Sequence, residues 1–97
     1  MTGFVLSPAA RADIGQIWDY SAERWGADQA GRYVLGIRDA CRDLVAGRMR
    51  GRAADDVRAG YRKAAVGSHV LFYRVREDGV LDIVRILHRR MDVPRHL

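Results

Sequence analysis

Side chains that could act as nucleophiles, metal ligands or proton carriers are few in this sequence, and they are scattered. The chain has one cysteine, Cys41, and three histidines that are well separated along it. Such a set lacks the close spacing of zinc ligands. Ser7, Asp19 and His69 supply the residue types of a hydrolytic triad, but no nucleophile-elbow motif surrounds a serine and no glycine-rich phosphate loop follows a strand. The sequence therefore predicts no metal site, no cofactor and no nucleophilic catalysis.

The basic residues are the chemistry that remains, and their distribution is uneven. Residues 1–47 carry five basic and six acidic side chains, a net charge of −1, whereas residues 48–97 carry twelve basic and six acidic side chains, a net charge of +6. Sixteen of the seventeen basic residues are arginine, whose guanidinium group forms paired hydrogen bonds with carboxylates and phosphates. This asymmetry indicates an anionic partner, either nucleic acid or an acidic protein segment, although a merely solvated surface explains the charge alone equally well.

The length and the cysteine count indicate the number of domains and the cellular compartment. A chain of 97 residues fits one domain, here 1–97. A single thiol at a helical core spacing is typical of a buried structural cysteine in a reducing compartment. No run approaches the length of a membrane span, and residues 1–6 lack the features of a signal peptide. We expect a cytoplasmic protein without membrane contact.

Two helices are predicted before residue 48. Ser7-Pro8 is a strong helix start, because serine caps the first turn and proline at the first helical position loses no needed N–H. A second helix is expected from a cap at Asp28 to a stop at Gly47, with Gly36 allowing a close helix contact. The short joint at Gly26 makes the pair an antiparallel hairpin. Apolar spacing of three and four places these residues on the inner faces: Ala10, Ile14, Ile17, Trp18, Ser21 and Trp25, then Ala30, Tyr33 or Val34, Ile37, Cys41 and Leu44.

The remaining sequence reads as strands. A short strand at 4–6 precedes the helices, and a loop at 48–56 follows them. Strands are expected at 60–66, 69–76 and 80–88, with turns between them and a polar tail after residue 88. The order β-α-α-β-β-β predicts an α+β fold in which the helical hairpin packs on one face of a mostly antiparallel sheet.

Alternation along the last two strands divides their side chains between the two faces of the sheet. The uncharged set is expected under the helices: Leu71, Tyr73, Val75, Val84 and Ile86. The opposite face has no helical layer of its own, so an apolar surface with several arginines is expected there, unless the loop at 48–56 or the tail folds over it. The natural complement of such a surface is an acidic amphipathic peptide. The residues that we predict for this interface are Val70, Phe72, Arg74, Ile83, Arg85 and Leu87.

Several segments, taken in order, resemble the ParE toxins of the RelE/ParE toxin–antitoxin superfamily, and together they span nearly the whole chain. The first half contributes Leu6-Ser7-Pro8-Ala9-Ala10, Ile17-Trp18-Asp19-Tyr20 and Arg24-Trp25-Gly26. The second half contributes Arg58-Ala59-Gly60-Tyr61-Arg62, Gly67-Ser68-His69-Val70-Leu71-Phe72-Tyr73-Arg74-Val75 and Val84-Arg85-Ile86-Leu87-His88-Arg89-Arg90-Met91-Asp92.

The resemblance implies a RelE-like fold and a toxin that inhibits DNA gyrase. It further implies a ParD-like antitoxin in a hetero-oligomer, with a ribbon-helix-helix part that binds operator DNA and a segment that wraps the toxin. Under this reading the predicted arginine-rich face is the antitoxin contact. The basic residues that we assign to the target are Arg58, Arg62, Lys63, His88, Arg89 and Arg90, with the tail 88–95 as the gyrase-directed part.

The nearest alternative is a RelE-type ribosome-dependent mRNA endonuclease. That reaction needs clustered basic groups and a proton carrier on an open sheet face. Alternation directs His69 and His88 toward the helices instead. At the position where many RelE-type nucleases have a tyrosine, this chain has Arg90 and Met91. We therefore predict a protein inhibitor without enzymatic activity.

Overall fold

A short first strand leads into two long helices, and four strands and a final helical turn follow. The computed structural model describes residues 3–91 and 93–97, so the expectations that involve Met1, Thr2 and Asp92 lie outside it. The elements are β1 (Phe4–Leu6), α1 (Pro8–Trp25), α2 (Ala27–Ala46), β2 (Arg52–Ala53), β3 (Arg62–Val66), β4 (His69–Val75), β5 (Leu81–His88) and α3 (Val93–His96). The predicted order is confirmed. Its omissions are β2, inside the predicted loop, and α3, inside the predicted tail.

The start of α1 and its junction with α2 follow local rules. The Ser7 hydroxyl accepts a hydrogen bond from the Ala10 N–H at 2.9 Å, and proline occupies the first turn. Gly26 ends α1 with a positive φ of 92° and also precedes α2, which begins at Ala27 without a side-chain cap. The predicted cap at Asp28 is therefore wrong. This residue lies inside the first turn of α2, where its negative charge interacts favourably with the positive end of the helix dipole.

Two glycines of α2 have different explanations. Gly47 ends the helix in the left-handed conformation, as predicted, and its N–H bonds to carbonyls of the last turn. Gly36 is exposed, and a Cβ built on it would meet nothing within 4 Å. The expected close helix contact is absent there, so no packing constraint requires glycine at this position.

The five strands form one sheet in the order β1-β5-β4-β3-β2. β1 is parallel to β5, and the other pairs are antiparallel. The two long helices pack on one face of the sheet, because their buried residues share a core with residues of β3, β4 and β5. The predicted α+β arrangement is confirmed.

An irregularity in β5 changes which side chains face the helices. Phe72 is paired with Arg85, but Tyr73 is paired with Ile83, so Val84 is an extra residue in β5. A bulge of this kind shifts the alternation by one residue. Ile83 and Ile86 consequently both belong to the helix-side core.

This shift corrects two parts of the predicted division. Ile83 does not lie on the face opposite the helices, since it is fully buried in the helix-side core. Val84 is only partly buried, and Val75 is exposed at the end of β4. Leu71, Tyr73 and Ile86 lie under the helices, as predicted.

The sheet face opposite the helices is also less open than expected. Phe72 and Leu87 retain only 2% and 1% of their accessible surface, although neither belongs to the helix-side core. The chain's own atoms therefore cover the centre of this face. Only Val70, which is half-buried, and Arg74, which is exposed, keep appreciable accessible surface among the predicted interface residues of β4.

The core around α2 contains the single thiol. Cys41 is buried against the sheet, as predicted, and this burial raises the pKa of its thiol to about 11. A thiol with so high a pKa remains protonated at neutral pH and reacts slowly. Within residues 3–91 and 93–97, no helix has the length and apolar character to cross a membrane.

Replacement of Gly51 by alanine is expected to destabilise the protein by about 1–3 kcal/mol, because the added methyl group would overlap the buried ring of Tyr73. The matched variant Gly36→Ala should instead stabilise it by about 0.5–1 kcal/mol, since that position is open and helical. Urea unfolding of both variants measures the difference. Equal effects in the two variants would contradict the close packing at Gly51.

A candidate partner-binding groove between the first helix and the last strand

One carboxylate links the first helix to the last strand. Asp13 lies on the inner face of α1 and is 6% exposed. Its two oxygens accept hydrogen bonds from the Arg85 Nε and Nη2 and from the backbone N–H of Ile86, each at 2.8 Å. A buried carboxylate requires such full compensation. Sequence reasoning missed this residue, although its spacing from Ala10 and Ile17 places it on the apolar face.

The edge of β5 explains why a carboxylate is needed there. Within the part of the chain that the structure describes, β1 pairs with residues 81–83, and the rest of β5 has no neighbouring strand on that side. The Ser7 hydroxyl donates to the Val84 carbonyl oxygen at 2.7 Å, and Asp13 takes the Ile86 N–H. Side chains of the first helix and its cap therefore satisfy backbone groups that another strand would otherwise have bonded.

Arg85 spans the edge of the sheet. Its register with Phe72 places its backbone position on the face away from the helices, yet its guanidinium group reaches Asp13. The Nη1 atom also donates to the His96 carbonyl oxygen at 2.8 Å, which fixes the C-terminal turn. The hydrogen bonds that Arg85 donates to the Asp13 carboxylate raise the pKa of Arg85. This arginine, which the sequence assigned to a partner, is thus engaged within the chain.

Arg74 has a different environment. It forms an ion pair with Asp82 at 3.3 Å, and its side chain is more than half exposed. An exposed pair of this kind contributes little stability and exchanges readily with water or a partner. Of the two predicted interface arginines, Arg74 is the more exposed, at 57% of its side chain against 22% for Arg85.

Beside Asp13, a groove of about 460 Å³ opens between α1 and the ends of β4 and β5. Its apolar floor is formed by Ile17 and Ile86, both buried, while Tyr20 and Met91 stand at its sides and are exposed. A pocket of this size and apolar character accommodates side chains of a ligand or of a partner protein. Among the described residues, the lining consists of Asp13, Gln16, Ile17, Tyr20, His69, Ile86, His88 and Met91.

Two histidines line the inner end of the groove. His69 and His88 are directly opposite each other in the sheet, and their rings meet edge to face at 5.4 Å. Both lie on the helix side, as predicted, because the Tyr33 hydroxyl of α2 contacts His69 Nδ1 at 2.6 Å. The same hydroxyl accepts a hydrogen bond from the Ser68 N–H at 3.0 Å and donates to the Val66 carbonyl oxygen at 3.4 Å. Burial, followed by repulsion from His88, lowers the pKa of His69.

Aromatic residues extend the groove toward the helix junction. Tyr20 and Trp25 are exposed and form an edge-to-face pair at 6.4 Å. The Arg24 guanidinium lies over the Tyr20 ring, 4.9 Å from its centroid, a distance typical of a cation–π contact. The sequence placed Trp18 and Trp25 on the inner face of α1, but both are exposed, whereas Asp13, which was not predicted there, is buried. Their large rings lie at the rim rather than in the core.

The predicted target-binding residues do not gather at one point. Arg62 faces the helix side opposite Tyr73 and donates to the Gly51 carbonyl oxygen at 2.7 Å, whereas Lys63 faces the other side opposite Phe72. Arg58 lies in the loop before β3, with its guanidinium near the Tyr61 ring. The remaining three, at positions 88–90, are contiguous and lie beside the groove at the end of β5.

The sequence from residue 4 to residue 93 matches the family described as "ParE toxin of type II toxin-antitoxin system, parDE". The chain belongs to the ParE toxin family. It is accordingly the toxin component of a type II toxin–antitoxin system, and the family resemblance inferred from its motifs is confirmed.

Relatives and solved structures agree with this assignment. Toxin ParE1 of Mycobacterium tuberculosis is 50% identical over 94 residues, which cover 97% of this ParE-family chain and 96% of the relative. The chromosomal ParDE system of P. aeruginosa superposes with a TM-score of 0.77 at 24% identity, over 91% of this chain and 96% of that one. The toxin–antitoxin complex RelBE2 of Mycobacterium tuberculosis superposes with a TM-score of 0.69 at 21% sequence identity, over 91% of this chain and 98% of that one. The fold is RelE-like.

Replacing Asp13 by alanine in this ParE-family toxin is expected to lower the free energy of unfolding by about 2–4 kcal/mol, because Arg85 and the Ile86 N–H both lose a partner. A double-mutant cycle of Asp13→Ala with Arg85→Ala should give a coupling energy of about 1–3 kcal/mol. The exposed pair Arg74–Asp82 is the matched control, and its coupling should stay below about 1 kcal/mol. Equal coupling energies for the two pairs would contradict the structural role that we assign to Asp13.

The stability of the protein should also depend on the protonation of His69. Its folded-state pKa lies below the ordinary value of 6.5, so the unfolded chain binds a proton more readily. The stabilisation of the folded state by neutral His69 is complete above the pKa of this residue in the unfolded chain. It is lost as the pH falls through the pKa of this residue in the folded protein. Unfolding measured between about pH 7.5 and pH 5 should show a shallower loss of stability for His69→Gln than for the natural chain. His96→Gln, at an exposed position, should retain the natural slope.

Proposed function

We propose that this toxin inhibits DNA gyrase, without enzymatic activity of its own, and that a ParD-like antitoxin neutralises it. The observation that carries the proposal is the family match over residues 4–93, whose description names the parDE system. The chromosomal ParDE system of P. aeruginosa, similar in fold, points in the same direction. The antitoxin would supply a ribbon-helix-helix part for operator DNA, so the toxin would reach DNA only through it, and both would act in the cytoplasm.

The arrangement of basic residues supports an inhibitor that binds a protein. A nuclease concentrates its cations around one scissile phosphate. Here Arg62 and Lys63 point to opposite faces of the sheet, and Arg85 is engaged by Asp13. The basic group at positions 88–90 ends the sheet and is accessible at Arg89 and Arg90. This is the segment that we assign to the target.

Purified toxin added to gyrase, ATP and relaxed plasmid is expected to abolish supercoiling, and prior addition of the antitoxin should restore it. Replacing Arg89 and Arg90 together by alanine should weaken inhibition by about tenfold or more, because exposed arginines commonly anchor protein interfaces. The double variant Arg38→Ala with Arg42→Ala, exposed on α2, is the matched control and should inhibit like the natural chain.

Two results would contradict the proposal. Full supercoiling activity at toxin concentrations well above those of gyrase would exclude gyrase as the target. Equal inhibition by the Arg89/Arg90 variant and by its control would exclude the β5 end as the contact. In the first case, growth arrest on induced expression would still reveal toxicity toward another target.

A ribosome-dependent mRNA endonuclease remains the second candidate, because the ring centroids of His69 and His88 lie 5.4 Å apart, and Arg89 and Arg90 follow His88 in the chain. Imidazole and guanidinium groups together can move a proton and stabilise a charged phosphorane. Primer extension on mRNA from translating ribosomes tests this directly. Codon-specific cuts that disappear in His88→Ala would favour the nuclease, whereas intact mRNA together with inhibited supercoiling supports the gyrase proposal.

A further inference from the structure

A second cavity lies at the other end of the sheet from the groove, where α2 ends. It has a volume of about 380 Å³ and lies between the loop at 47–51 and the strands β3, β4 and β5. Two arginines, Arg50 and Arg62, line it, and its described lining residues include no acidic side chain. We propose that this cavity binds a nucleotide, with the phosphate group at the arginines and the nucleoside against its apolar walls. The inference goes beyond the proposed function and depends on neither the target nor the antitoxin.

The hydroxyl of Tyr73 is the observation that points to a ligand. This side chain is only 3% exposed, yet it lines the cavity, and its hydroxyl forms no hydrogen bond with any described residue. No fully enclosed polar side-chain atom of these residues lacks a partner, so the hydroxyl oxygen is open to the cavity. A Cβ built on Gly51 would overlap this hydroxyl, and glycine leaves the space that it occupies. The phenol is thus a donor that the fold itself does not use.

Arg62 stands beside this hydroxyl with most of its donors available. Arg62 and Tyr73 are directly paired across β3 and β4, so their side chains are neighbours on the helix side of the sheet. The Arg62 Nη2 donates to the Gly51 carbonyl oxygen at 2.7 Å, which fixes the guanidinium group at the cavity. Because a guanidinium group has five N–H donors, this bond leaves others for the oxygens of a ligand.

The charge of the cavity matches a phosphate monoester better than a carboxylate. Arg50, which is exposed, adds a second guanidinium group from the loop. The nearby end of α2 contributes a negative partial charge of about half an elementary charge, which the two full positive charges exceed. A phosphate monoester carries a charge of about −1.5 to −2 at neutral pH, so it compensates both arginines, whereas a single carboxylate compensates one.

The rest of the lining suits the uncharged part of a nucleotide. The end of α2, the loop and the strands together supply four apolar side chains: Leu44, Met49, Val75 and Leu81. Val75 is 55% exposed, and a base placed against it would remove this surface from water. Small-molecule sites of about 300–1,000 Å³ commonly combine apolar walls with a few polar groups that orient the ligand. The volume of this cavity is near the lower limit, which favours a mononucleotide.

Titration calorimetry of the purified toxin tests the proposal with three kinds of ligand. These are the common nucleoside 5′-monophosphates, the matching nucleosides and inorganic phosphate. At least one monophosphate should bind about tenfold more tightly than its nucleoside and than inorganic phosphate, because the charged group and the apolar walls both contribute. The same monophosphate should raise the Tm of the toxin, since a ligand that binds the folded state stabilises it.

Tyr73→Phe removes the hydroxyl and keeps the ring. It should weaken binding of the monophosphate by about tenfold, as loss of a hydrogen bond to a charged group does. The Tm without ligand should stay unchanged, because the fold does not bond this hydroxyl. Tyr61→Phe is the matched control, since Tyr61 is also buried but lies outside the described lining. It should keep the affinity within about twofold.

The charge of Arg50 is tested in the same way. Arg50→Gln should weaken binding of the monophosphate by about tenfold or more and leave the affinity for the nucleoside unchanged. Arg48→Gln is the matched control, because Arg48 is exposed in the same loop but pairs with Asp43 and lies outside the described lining. It should bind the monophosphate like the natural chain.

Three results would overturn this inference. The first is the absence of saturable binding for every monophosphate up to about 10 mM. The second is equal affinity for inorganic phosphate and for the monophosphates, which would leave a general anion site without a place for the nucleoside. The third is equal affinity of Tyr73→Phe and Arg50→Gln with their controls, which would place the nucleotide elsewhere. The supercoiling assay tests the proposed function separately, so either can fail without the other.

Discussion

The carboxylate of Asp13 is the constraint on which the arrangement of the molecule depends. It joins the inner face of α1 to the unpaired edge of β5, and through Arg85 it also holds the C-terminal turn. A charge placed on the buried face of a helix is unfavourable by itself, and it persists here because three donors surround it. The geometry of these donors fixes the position of α1 along β5 more closely than apolar packing alone could.

The surface left for partners follows from this constraint. Asp13 lies in the lining of the groove, and residues of the next turns of α1 continue that lining toward the end of β5. Ile17 forms the floor, whereas Tyr20 remains at the rim. The same interaction neutralises the acidic group in the lining, so the surrounding arginines determine the potential there. One interaction thus shapes both the apolar and the electrostatic character of the site.

The sequence predicted the fold well because local chemistry and periodicity carry that information. Ser7-Pro8, Gly26 and Gly47 mark helix ends through capping and backbone freedom, which neighbours in sequence decide. The candidate site was predicted only in part. His69 and His88 were placed on the correct side, but Ile83 was placed on the wrong face because a single bulged residue reverses strand alternation. Asp13 was missed because a charge on an apolar stripe gives no indication of its partner seventy-two residues away.

The amino-acid sequence by itself determined the number and type of the main elements, the basic second half and the membership of a toxin family, since these depend on composition, local capping and ordered motifs. Tertiary structure alone decided which apolar residues remained accessible. It buried Phe72 and Leu87, left Tyr20 and Trp25 exposed, and bound Arg85 to Asp13. The physical reason is that the solvent accessibility of a side chain depends on which distant segments pack over it. A shift in strand register or a contact at a sheet edge changes this packing without any change in the local sequence pattern.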